Sequence, residues 1–108
     1  MPNLQVMKDI AEQHRLNLLE TSNGTYLIEF EKINGLTPLL ASADGGYTWC
    51  PEVMGPDGVM WSGRCSIRGM VLSTEIRDMY KTLFLGNPDR MLDVANDLIQ
   101  KFAGEIIH

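Results

Sequence analysis

The side chains in this chain that could do chemistry are few, and their spacing is poor for it. Cys50 sits between Trp49 and Pro51-Glu52. As a nucleophile it would need a base to form the thiolate and donors to hold an oxyanion. His14 is the one histidine away from the chain end, and it falls at the close of an N-terminal helical segment. The ordinary reading of a strand cysteine is a small buried hydrophobe, and we favour it. Glu29, Glu31 and Glu52 could supply a general acid and base. Glu29 and Glu31 share a strand face at two-residue spacing, with Glu20 close across the turn, and a solvated sheet face gives the same pattern. Ser62 and Ser66 lack the Gly-x-Ser-x-Gly context of an exposed nucleophile.

Ligand-holding motifs are missing as well. Asp44-Gly45-Gly46 and Pro56-Asp57-Gly58 have neither the Lys-Ser/Thr of a phosphate loop nor the acidic ladder of a calcium loop. Turn formation explains both. Two cysteines with His14 and His108 near opposite ends match no zinc spacing. No metal and no cofactor are therefore expected.

Charge narrows the partners. Nine basic residues against fourteen acidic ones give a net charge of −5, and the basic ones form no run. Neutralising several phosphates takes a clustered positive patch, so direct nucleic-acid binding is not expected. The acidity shows no double row of carboxylates that would imitate a nucleic acid. Nothing approaches the roughly 20 apolar residues of a membrane span. Met1-Pro2-Asn3-Leu4-Gln5 has neither the basic nor the apolar region of a secretory signal. The expected location is cytoplasmic, which in turn predicts that Cys50 and Cys65 are free thiols.

These residues must be positioned by a small fold. At 108 residues, 44% hydrophobic and 21% charged, the chain is one ordinary globular domain spanning 1–108. Leu4, Met7, Ile10 and Ala11 predict a helix over residues 3–15. Asn23-Gly24 predicts a type I′ hairpin with Leu19 opposite Ile28 and Asn17 opposite Phe30. Residues 32–35 form a turn. Residues 36–43 are left between strand and loop, with Pro38 pointing to an edge or a break.

The second hairpin turns at Gly55-Pro56-Asp57-Gly58, where Pro fixes φ and Gly58 takes the left-handed bulge position. This sets Gly55 opposite Val59, Val53 opposite Trp61 and Trp49 opposite Cys65. Cys50 then lies on the reverse face, which argues against a Cys50–Cys65 bridge. A further strand is expected over residues 65–72. Ser73 should cap a helix bearing Ile76, Met79, Tyr80, Leu83 and Phe84, ended by Gly86. Asn87-Pro88-Asp89 opens a last helix bearing Met91, Leu92, Ala95, Leu98, Ile99 and Phe102, stopped at Gly104.

The fold class is α+β: an N-terminal helix, an antiparallel sheet of four to five strands built from two hairpins, and two C-terminal helices packed on one face. Trp49 and Trp61 should share one face, and Cys50, Met54 and Met60 the other. Tyr47, Trp49, Met54, Met60 and Trp61 form the densest zone of large apolar side chains, of the types that favour interfaces, although for the two tryptophans sheet core under the C-terminal helices is the favoured reading. The leading expectation is a non-enzymatic interaction module, whether adaptor, inhibitor or chaperone-like. It would bind a protein partner through its sheet, with a homodimer among the expected partners. The alternative is a small-ligand or thiol-dependent enzymatic domain, with Cys50, Glu52 and Arg64 at the mouth of a pocket.

Overall fold

A computed structural model describes residues 4–65 and 69–106. Helix α1, Leu4–Gln13, buries Met7, Ile10 and Ala11, the face that the helical spacing predicts. It ends in a double closure: Leu16 N–H donates to Ala11 O, and Arg15 N–H to Glu12 O. That motif needs a left-handed residue, supplied here by Arg15 at φ +61°. Leu85, 91% exposed, takes φ +50° after the second helical segment. Neither is glycine, so each holds a conformation costly for a side chain. Arg15→Gly and Leu85→Gly should each raise stability by about 0.5–1 kcal/mol, measured by urea denaturation. A loss at both positions would overturn this.

Five strands follow as an antiparallel meander in the spatial order β1-β2-β3-β4-β5. They are β1 Leu18–Glu20, β2 Tyr26–Glu29, β3 Thr37–Ser42, β4 Cys50–Gly55 and β5 Gly58–Ser62. The first hairpin corrects the expected register by one residue: Leu18 faces Ile28 and Leu19 faces Leu27. Only Gly24 of the pair Asn23-Gly24 has positive φ, and Thr21 N–H donates to Thr25 O. The loop therefore holds three residues rather than two, and a one-residue slip turns Leu19 outward and Leu18 inward. The two-residue turn with both centres left-handed lies instead at Asn34-Gly35, between Ile33 and Leu36.

Pro38 lies in the interior strand β3, not at an edge. Phe30 N–H donates to Pro38 O, so the missing Pro38 donor also faces Phe30, one residue past the end of β2. One bond is lost where that ladder stops anyway. In the second hairpin Val53 faces Trp61 as expected, but the tip is tighter, with Gly55 facing Gly58. The extra residue sits between Val59 and Trp61, and is Met60.

The expected strand over 65–72 is not formed: β5 stops at Ser62 and helix α2 spans Gly69–Met79. Residues 66–68 of that expectation lie outside the described residues. Leu72, Ile76 and Met79 are all buried at helical spacing, and the helix begins four residues before Ser73, which is not the cap. The helix passes into one π-helical turn, Tyr80–Phe84, with ring centroids of Tyr80 and Phe84 5.2 Å apart. Helix α3 spans Asp89–Ile106, and Asn87 Oδ1 accepts the Asp89 N–H at its start. Gly104 does not stop it, since one glycine costs a helix only about 1 kcal/mol.

The helices bury their stripes with Ile28, Phe30, Leu40, Trp49 and Val53 in one core cluster. Arg90 on α3 ties the outer elements together. Its Nε lies 2.8 Å from Glu31, and its Nη2 donates to His14 O at 2.6 Å. His14 Nε2 meets Asp97 Oδ2 at 2.6 Å, joining the end of α1 to α3. The hydrogen bond from Arg90 holds the Glu31 carboxyl below its usual range. Burial pushes the Tyr80 phenol up to about 12, and the Glu31 charge adds to this.

The signs give a pH profile. A carboxyl depressed by folding contributes stability above its unfolded value, and that stability is lost as pH falls through the folded one. Melting temperature should therefore drop on acidification below about pH 4.5, and Glu31→Gln should flatten that drop. A phenol raised by folding acts in the opposite range: its contribution fades as pH rises from about 10 toward 12. Thermal melts across pH 3–7 and 9–12 check both limbs.

Candidate functional site

All three helices pack against one side of the sheet, and the pairing register shows what the reverse side carries. Leu19, Leu27, Ala41 and Cys50 form a row across β1 to β4. Glu29, Leu39, Glu52 and Ser62 form the next, across β2 to β5. Thr37, Met54 and Val59 form a third. Leu39 at the centre is 0% exposed and Ala41 is also buried, yet neither joins the cluster that holds the helices. The charged strand residues that the register places on this face are Glu29 and Glu52, and Arg15 lines one recess with Leu19 and Glu29. Among the described residues Glu29 has no ion-pair partner. Glu52 accepts a hydrogen bond from Ser62 Oγ at 3.3 Å.

The face is bounded by β5, the outer strand. Val59 is 54% and Met60 59% exposed. Gly58–Ser62 contains neither a charge nor a proline, the usual protections of an edge. Met60 does not share the side of Met54, as expected from alternation. The bulge carries its thioether over Gly55, beside Leu36, where a Gly55 side chain would stand. Trp61 is half-buried against the core cluster on the helix side, and it lines a recess of about 270 Å³ with Glu75, Asp78 and Leu83.

Trp49, named among the docking residues, is corrected to the other reading, sheet core: it is 1% exposed, and its Nε1–H donates to Gly46 O at 3.0 Å. Its role is to hold the β3–β4 loop from below. That loop is pinned from above by Asp44, which accepts from Ser42 Oγ, Thr48 N–H and Thr48 Oγ1. Burial alone would raise the Asp44 pKa; the Thr48 and Ser42 hydrogen bonds outweigh it and lower it. Tyr47 stands exposed at the rim of this loop.

The cysteines are the second correction. Cys50 and Cys65 form a disulfide, with Cα atoms 4.2 Å apart, where free thiols on divergent faces were expected. Gly63 N–H still bonds Pro51 O, but the strand ends at Ser62. From there the chain is free of the ladder, and Cys65 reaches the side on which Cys50 points. The thiol nucleophile of the alternative reading is thereby consumed. Arg64 pairs with Glu75 at 3.0 Å and lines a recess of about 210 Å³ with Val71 and Thr74, which neither Cys50 nor Glu52 enters. The proposed pocket mouth does not assemble.

Of the expected docking residues, Met54 alone has a register position on the helix-free face, with Met60 at its border. The sequence reading missed Leu19, Leu27, Leu39, Ala41 and Val59. A signal was present: Pro38-Leu39-Leu40-Ala41 is apolar at successive positions, the pattern of a strand with both faces apolar. Among the described residues no three His, Cys, Asp or Glu side chains gather as metal ligands, and no helix is long and apolar enough to cross a membrane. Compared with known families, curated proteins and solved structures, the chain matches none.

Proposed function

We propose that this chain is a non-enzymatic protein-interaction module, adaptor-, inhibitor- or chaperone-like, that binds a protein partner through the helix-free face of its sheet. The observation that carries the reading is that, on the side away from the helices, Leu19 and Val59 stand exposed and Leu27 and Met54 half-buried around the buried Leu39 and Ala41. A surface of that kind commonly marks an interaction site. Self-association belongs to the same reading. The uncharged edge β5 would let two copies of a chain with net charge −5 meet without opposing like charges there.

Leu19→Lys with Val59→Lys places charge on two exposed positions of this face. A partner captured by the wild-type chain should be lost by this variant and kept by Leu85→Lys. Equal capture by all three would sink the proposal. Light scattering after size exclusion tests self-association separately, and a strict monomer at high micromolar concentration removes that part.

A further inference from the structure

We propose that the Cys50–Cys65 disulfide is a site of thiol exchange, at which a low-molecular-weight thiol such as glutathione adds to Cys65 and releases Cys50. The proposal is independent of the docking reading. Its basis is the difference between the settings of the two sulfurs. Cys50 opens β4, is half-buried, and pairs there with the buried Ala41 of β3. Cys65 is exposed and belongs to no strand or helix. Exposed disulfides are the ones that thiols reach and exchange.

An incoming thiolate attacks one sulfur and expels the other. At Cys65 the approach is from solvent. At Cys50 it lies over the sheet, beside Ala41 and Glu52. Charge points the same way. Glu52 stands two residues from Cys50 on the same face of β4 and repels a thiolate there. Beside Cys65 the Arg64 side chain is 81% exposed, whereas Glu75, which pairs with it at 3.0 Å, is 18% exposed. A thiolate arriving from solvent therefore meets the guanidinium before the carboxylate.

The chain around the bond lets the product form. When the bond opens, Cys50 stays in register on its strand, because the pairing with Ala41 persists. Gly63 N–H to Pro51 O is a backbone bond beyond the end of β5, and Cys65 lies past it, able to turn outward with the added group.

The reaction balances in two steps. In the first, the thiolate sulfur bonds Cys65 Sγ, the disulfide bond breaks, and its electron pair leaves on Cys50 Sγ, which takes a proton from water. In the second, another thiolate attacks the outer sulfur of the mixed disulfide. Cys65 leaves as thiolate, and the two small thiols depart joined as their own disulfide, having supplied the two electrons of the reduction.

The test treats the intact oxidised chain with millimolar glutathione, quenches with acid and maps the adducts by mass spectrometry. Early adducts should sit on Cys65 at least about tenfold more often than on Cys50, with opening complete in minutes. Single variants give a second readout. Cys50→Ser, treated with glutathione disulfide, should take up one glutathione on Cys65, and with no neighbouring thiol to expel it the adduct should persist. Cys65→Ser should take it up on Cys50 at least about tenfold more slowly, and circular dichroism verifies that both variants are folded.

Adducts chiefly on Cys50, or equal uptake by the two variants, would overturn the assignment of Cys65. A bond that stays closed through hours of millimolar glutathione, and opens only when urea unfolds the chain, would overturn the exchange itself.

Discussion

Replacing Trp49 by alanine should cost about 3–5 kcal/mol, the largest single loss expected in the molecule. The indole is fully buried in the cluster that joins the sheet to the helices. Its removal leaves a cavity that strands on one side and helices on the other can close only in part. It also leaves Gly46 O without the indole N–H. That loop contains two left-handed glycines, Gly45 and Gly46, at φ +82° and +100°, and without the indole its path rests on the hydrogen bonds of Ser42 and Asp44. Stability for a domain of this size is typically 5–15 kcal/mol, so the variant should sit near the limit of folding. Urea denaturation followed by Trp61, then the sole tryptophan, measures it. Trp49→Phe, which keeps most of the volume and loses the donor, should cost about 1–2 kcal/mol. If alanine costs no more than phenylalanine, packing of the indole is not what holds the sheet to the helices.

Opening the Cys50–Cys65 disulfide comes second. The bond closes a loop of 15 residues, and for that length the unfolded-chain entropy argument gives about 3 kcal/mol. The hairpin between the two residues is already held by its ladder, so the main local effect falls on residues 63–65. They are anchored otherwise by the Gly63–Pro51 backbone bond and by Arg64 on Glu75. Calorimetry with and without a dithiol reductant should show a melting temperature lowered by roughly 10 °C on reduction. Cys50→Ser with Cys65→Ser should melt at the reduced value in both conditions. A melting temperature indifferent to reductant, with both thiols shown by alkylation to have been released, would remove the bond from the stability of this fold. In reducing surroundings such as the cytosol the weaker form is the relevant one.

The two expectations meet on the proposed docking face. Cys50 ends its apolar row, and Trp49 supports the loop from which that strand leaves. Changes at either position should therefore reach binding through stability. Changes at Leu19, Val59, Glu29 and Glu52 should reach it without that cost, because those side chains are largely outside the core cluster.

Several features of the fold are written locally in the chain. The α1 stripe, the Asn87 cap of α3, the Pro56-Asp57 turn and the pairing of Val53 with Trp61 each depend on residues close in sequence. Short-range patterns suffice because the period of the apolar residues and the dihedral demands of Pro, Gly and Asn act over one or two turns of chain. The α+β order of a helix, five antiparallel strands and two helices follows from those patterns together.

Other features required the assembled molecule. Whether the first hairpin closed with two or three residues was decided by which register buried Leu18 beside Ile28 against α1, a contact between distant segments. Whether residues 36–43 formed a strand depended on having β2 and β4 on both sides to pair with. The disulfide depended on where β5 stopped, and a strand's end is set by the loss of partners rather than by composition. The candidate face was settled in the same way. Leu19, Leu39, Glu29 and Glu52 come from four strands, and only the meander places them in adjoining rows. By itself the sequence determined that helical stretches precede and follow a strand region turning at Pro56-Asp57, since those obey local geometry, but not where α2 begins or how the first hairpin closes. Tertiary structure decided which side of each strand meets the helices, because a slip of one residue reverses every side chain at almost no local cost.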